Sequence, residues 1–178
     1  MNPYRNCTYL LFVTLLASVL FAGTIDVPDD YSTIQAAINA SVNGGTIIVM
    51  PGTYTGSGNR DLDLLGKLIT VRSMNPDDPN VVEATVIDCQ GSQAEPHRGF
   101  YIHSGEPSGT TISGLTITNG VGDGGGGGIY VESSTLDITY CRITDNSARD
   151  GADASYMDPI PAEAGVTALP AGRLHGDV

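Results

Sequence analysis

Tryptophan is absent from the 178-residue chain, aromatic residues make up only 6% of it, and charged residues only 16%. The charged share falls below the ~25% of an ordinary globular protein. Bases are scarcest: eight Lys and Arg stand against 20 Asp and Glu, for a formal net charge of −12, and Lys67 is the one lysine. A chain this acidic repels phosphate backbones, so nucleic acid is excluded as a partner. A polybasic membrane-surface site is excluded for the same reason. Cysteine is too sparse, at three residues, for a disulfide scaffold.

Long apolar runs are confined to the start of the chain. Arg5 precedes a run from Tyr9 to Phe21, closed by the small residues Ala22 and Gly23. A basic residue, a short apolar core and a small-residue exit describe a secretory signal peptide over residues 1–22. The run is shorter than the ~20 residues of a membrane-spanning helix, so no transmembrane segment is expected once the leader is gone. Cleavage removes Cys7 and leaves Cys89 and Cys141, both inside apolar alternation and expected as buried thiols that pack like small hydrophobes. The mature protein is expected to be secreted or displayed at the cell surface.

What the chain has in excess is glycine, 23 residues, well above the ~7% that is usual. One helical pattern stands out, over 32–40. Ser32 and Gln35 have capping-box spacing, and Ile34, Ala37 and Ile38 fall on one face. Beyond it no further helix is expected. Short β-prone runs follow instead, at Thr46–Met50, Leu68–Arg72, Ala84–Asp88, Phe100–His103, Thr110–Ile112, Leu115–Thr118, Ile129–Val131, Leu136–Ile138 and Cys141–Thr144.

Two of these registers repeat. Gly99-Phe100-Tyr101-Ile102 matches Gly128-Ile129-Tyr130-Val131. Ile112, Leu115 and Ile117 match Ile138, Cys141 and Ile143, and the turns at Asn119-Gly120 and Asp145-Asn146 correspond. Internal periods of this length indicate a solenoid. The expectation is an all-β protein, a right-handed parallel β-helix over 24–149 capped by the N-terminal amphipathic helix.

Particular residues also carry a resemblance. Ile25-Asp26-Val27-Pro28, Tyr31 to Ile38, Thr46-Ile47-Ile48-Val49 and Pro51-Gly52-Thr53-Tyr54 resemble the cap and first coil of the pectin-lyase-like superfamily. Gly114 to Gly120, the glycine run before Ile129, and Asn146-Ser147-Ala148 are similar to the repeats of polymorphic outer-membrane-protein-like adhesins. The resemblance implies a secreted bacterial protein but no single activity, since that fold serves lyases, esterases, hydrolases and non-catalytic surface proteins.

Each activity implied by the resemblance requires its own motif. Pectin methylesterases carry Glu after a Gly-x-Tyr-x segment; here Gly56 stands there. The clustered carboxylates of polygalacturonases are missing, since Asp29-Asp30 lies in the cap and Asp77-Asp78 in a proline-bounded loop. A pectate-lyase-type enzyme would need calcium held by carboxylates and an arginine base. Asp61, Asp63 and Asp88 are the weak calcium candidates, and Arg72 and Arg98 the basic residues on plausible coils. His97 and His103 read as surface histidines. Gly124 to Gly128 precedes a strand and has no Lys-Ser/Thr, so it reads as a turn rather than a phosphate loop.

From Arg149 the alternation stops. Residues 150–178 are rich in Ala, Pro and Gly and read as an irregular tail, from a shifted or prematurely ended frame in preference to a natural linker. The functional expectation is a non-catalytic surface protein that contacts polysaccharide or cell-surface components, with no cofactor. The alternatives are a pectate-type lyase whose catalytic coils lie elsewhere and an adhesin passenger fragment. Tyr101 and Tyr130 are the expected sugar-contact residues, with rings about 4.8 Å apart on an outer face, one strand spacing.

Overall fold

The computed structural model describes residues 22–149. The expected leader over 1–22, apart from Ala22, and the expected tail over 150–178 lie outside the described residues. Along the chain the elements are β1 (Thr24–Val27), α1 (Ile34–Ala40), β2 (Thr46–Val49), β3 (Gly52–Tyr54), β4 (Thr70–Ser73), α2 (Pro79–Ala84) and β5 (Thr85–Asp88). Then follow β6 (Phe100–Ile102), β7 (Thr111–Ser113), β8 (Thr116–Thr118), β9 (Val121–Gly122), β10 (Ile129–Val131), β11 (Asp137–Thr139), β12 (Arg142–Ile143) and β13 (Ser147–Ala148).

All the strand pairs are parallel, in four sheets: β1-β2-β4-β7-β11, β12-β8-β5-β3, β10-β6 and β13-β9. The expectation of an all-β, closed right-handed β-helix is thereby corrected. Among the described residues the structure shows separate parallel sheets, 32% strand with 10% helix, and no closed solenoid. Two features account for the difference. The steps between paired strands are unequal, since Thr70 pairs with Thr46 on one side and with the much more distant Thr111 on the other. The long connections also hold structure of their own, including a second helix.

That helix, α2, runs against the expectation of a single helix. Its six residues include the β-branched pair Val81-Val82, which lowers helix propensity. Asp78 nonetheless caps it by accepting from the Asn80 N–H, and Pro79 sits in the first turn, where its missing N–H costs nothing. α1 forms over the expected segment, and Ile34, Ala37 and Ile38 are fully buried. Its cap is Thr33 rather than Ser32, because the Thr33 hydroxyl accepts from the Ala36 N–H. Gln35 therefore does not close a capping box. Its amide instead grips the backbone of Asp63, with Nε2 donating to the carbonyl and Oε1 accepting from the N–H.

The expected registers are present. Phe100 pairs with Ile129 and Tyr101 with Tyr130, Ile112 with Ile138, and Ile117 with Ile143. Parallel registry stacks like residues into columns. Ile25, Ile47, Val71, Ile112 and Ile138 align in one sheet, and Tyr54, Ile87, Ile117 and Ile143 in another. With Leu62, Leu64, Phe100 and Ile129 these columns make one core. Asn146 ties neighbouring repeats together, accepting from the Gly120 N–H and donating to the Ile117 carbonyl. In β8 the alternation places Thr116 outward. The structure buries Thr116 as well, beneath α2, and its hydroxyl donates to the Val82 carbonyl at 2.8 Å.

Candidate functional site

The glycine run after β9 prepares the site. Gly125 has φ +146, and a Cβ there would lie 2.5 Å from the Tyr130 ring. Only glycine lets the loop pass this close to the tyrosine. The loop then turns carbonyls toward Arg98. The guanidinium donates from Nε to Gly126 O at 2.9 Å and from Nη2 to Asp123 O at 2.6 Å.

Held this way, the Arg98 guanidinium lies 5.0 Å from the centre of the Tyr130 ring and 5.5 Å from that of Tyr101. Both are within cation–π range. Registry of β6 and β10 brings the two tyrosines together, with ring centres 5.4 Å apart and planes tilted by 55°. This is somewhat wider than the 4.8 Å expected from strand spacing, because the rings tilt instead of stacking flat. His103 continues the row, stacked on Tyr101 at 3.9 Å with planes 10° apart. Its Nδ1–H donates to the Tyr101 carbonyl. The result is a strip of four flat groups, with the tyrosines and Arg98 half-buried and His103 exposed.

Beside this strip lies an open cleft of about 440 Å³, lined by Gln35, Ser57, Arg60, Asp61, Asp63, Leu65 and His97. Asp61 organises it. One carboxylate oxygen accepts from the Arg98 N–H at 2.7 Å, and the other lies 2.7 Å from His97 Nδ1. A carboxylate only accepts, so Nδ1 carries the proton and donates it to Asp61, which leaves Nε2 as the free edge of the ring. The expectation of His97 as an unpartnered surface histidine is corrected. It is half-buried and paired, with a partner 36 positions away that no sequence motif announces.

The calcium candidates do not form a cation site. Asp61 and Asp63 share the rim of the cleft, but Asp88 stands apart, accepting from the side chain of Asn119 and the N–H of Gln90. Asp63 accepts from the Leu65 N–H and the Ser104 hydroxyl. Calcium needs six to eight converging oxygens, whereas these carboxylates are engaged by protein donors. Among the described residues no group of three or more His, Cys, Asp or Glu is placed to hold a metal ion. Of the two arginines, Arg72 folds back on the carbonyls of Ser73 and Met74, and only Arg98 joins the strip.

Glu106, which no sequence motif marks, is 2% exposed. It accepts from the N–H groups of Gly66 and Ser104 and from the Ser134 hydroxyl. Three donors satisfy a carboxylate that would otherwise be costly to bury. It ties the loops that carry Gly66 and Ser134 to its own.

Among the described residues both cysteines, Cys89 and Cys141, are free. Burial pushes the Cys89 thiol up to about 12, with the Asp61 and Asp88 carboxylates adding to the rise. Desolvation likewise raises Cys141, to about 11. Thiols so far from ionising are poor nucleophiles. No helix among the described residues is long and apolar enough to cross a membrane. Set against protein-family models, curated proteins and solved structures, the chain matches none of them.

Proposed function

We propose that this is an exported, non-catalytic surface protein that contacts polysaccharide along the strip formed by Arg98, Tyr101, His103 and Tyr130. The observation that carries this reading is the strip itself: His103, Tyr101 and Tyr130 side by side with the Arg98 guanidinium across both tyrosines, partly open to solvent, the tyrosines borne on the parallel pair β6–β10. Sugars present faces of C–H groups and edges of hydroxyls. Aromatic rims take the former, while tyrosine hydroxyls, the guanidinium and the imidazole take the latter. The basic, apolar and small-residue pattern at the start of the chain supports export. The likeness of 114–120 and 146–148 to adhesin repeats points the same way.

The rival role is a structural one, in which the tyrosine pair gives the sheet ~0.2–1 kcal/mol and Arg98 adds a cation–π contact. Native electrophoresis in gels containing soluble polysaccharide separates the two roles. The wild-type chain is retarded, and Tyr101→Ala with Tyr130→Ala removes the retardation while the thermal midpoint moves little. A stability loss with retardation intact makes the rings a structural pair. Release of unsaturated sugars from polygalacturonate in calcium-containing buffer overturns the non-catalytic reading.

A further inference from the structure

We infer that the cleft beside the strip is a subsite for one neutral sugar residue of the bound polysaccharide, with Asp61 and His97 as its hydrogen-bonding wall. The inference rests on the polysaccharide reading and adds to it the chemistry of the ligand. His97 and Arg98 are consecutive, so the cleft and the strip meet at one point of the backbone. Asp61 joins them physically, holding the His97 imidazole with one oxygen and the Arg98 N–H with the other. A glycan lying along the tyrosines therefore runs into the cleft.

Size and lining fit a pyranose. About 440 Å³ lies within the ~300–1,000 Å³ of small-ligand sites. Leu65, 45% exposed, offers an apolar patch for a sugar C–H face. The polar wall is held in place before any ligand arrives. Gln35 is locked on the Asp63 backbone, the imidazole is fixed by Asp61, and the Arg60 guanidinium donates to the Cys89 carbonyl. Such prior ordering reduces the entropy lost on binding. The carboxylate lone pairs of Asp61 and Asp63 accept from sugar hydroxyls, Arg60 and Ser57 donate, and His97 Nε2 meets a further hydroxyl.

Charge selects the sugar. Two carboxylates face one guanidinium, and the imidazole is already paired with Asp61. The chain around them carries −12. A uronate would bring a third carboxylate to a cleft whose single guanidinium, Arg60, already faces two, whereas a neutral hexose or pentose adds only hydroxyls. The cleft thus favours neutral glycans over acidic ones.

The full chain is run in native gels containing xylan, mixed-linkage β-glucan, polygalacturonate or alginate, beside Ser57→Trp and the Tyr101→Ala, Tyr130→Ala double variant. Ser57 is exposed at the cleft wall, so the indole fills the space without entering the core. A neutral glycan should retard the wild type, and Ser57→Trp should weaken that retardation at least about tenfold with the thermal midpoint unchanged. Retardation by polygalacturonate or alginate in preference to the neutral glycans overturns the subsite while leaving the strip in place. So does neutral-glycan binding that the tyrosine pair abolishes and Ser57→Trp does not touch. If no polysaccharide retards the wild type, the strip reading falls and the subsite with it.

Discussion

The two ends of the stacked columns are built differently. At the N-terminal end, α1 packs against β1 and β2 and buries Ile34, Ala37 and Ile38 completely. At the other end, among the described residues, each sheet finishes on one of the last four strands, β10 to β13. There Ile138, Cys141 and Ile143 are half-buried, although their counterparts one repeat earlier, Ile112, Leu115 and Ile117, are fully enclosed. The residue pattern of the two repeats is the same. What differs, among the described residues, is whether another layer lies against it. Burial here belongs to the stack, and the same isoleucine contributes differently according to its place in the column.

The largest effect expected from that contrast is Ile117→Asp. It places an unpaired charge in a fully enclosed column and should cost several kcal/mol. Ile143→Asp, one strand on, should lower the thermal midpoint much less, because solvent reaches that position. Equal losses at the two sites would mean the last repeat is as enclosed as the one before it.

Asn146→Ala comes next. It leaves the Gly120 N–H and the Ile117 carbonyl without their inter-repeat partner, at about 1–3 kcal/mol by urea unfolding. An unchanged midpoint would show that water replaces the amide there. Thr116→Val, which deletes only the hydroxyl bonded to Val82 under α2, should cost about 1 kcal/mol. A neutral result would detach α2 from β8.

At neutral pH the smallest effect belongs to the two thiols, whose raised values act only in alkali. Both have folded values above the ordinary 9.0. Their contribution to stability is therefore complete below pH 9 and falls away as the pH rises through about 11 for Cys141 and about 12 for Cys89. Unfolding between about pH 8 and 11.5 should show less alkaline loss in Cys89→Ala with Cys141→Ala than in the wild type. Parallel curves would assign the loss to other groups, such as Tyr54, which burial also raises.

Much of this stack is legible in the residue pattern alone. The repeated Gly-Phe-Tyr-Ile and Gly-Ile-Tyr-Val segments announce the pairing of Tyr101 with Tyr130, since parallel registry lays like on like. The face of Ile34, Ala37 and Ile38 announces α1. Periodicity says nothing, however, about the connections between strands. α2 is hidden by its brevity and its paired valines, although Asp78-Pro79 carries a start signal. Without α2 to cover it, Thr116 reads as a solvent-facing residue. The closed solenoid extrapolates from one regular step to steps that are unequal. The Asp61–His97 pair and the clasp at Glu106 join loops whose meeting depends on those steps, so no local pattern exposes them.

The absence of tryptophan gives the most direct test of the strip, because tyrosine emission is then unobscured. Wild type and Tyr101→Phe with Tyr130→Phe are titrated with xylan or β-glucan, whichever retards the chain in gels, while tyrosine fluorescence is recorded. The phenylalanine pair keeps both rings in place and removes their emission. The account predicts a saturable fluorescence change in the wild type that is lost in the double variant, while gel retardation persists in weakened form because the rings remain and their hydroxyls are gone. Retardation with no wild-type fluorescence change, or a change the double variant retains in full, would place the polysaccharide elsewhere and contradict it.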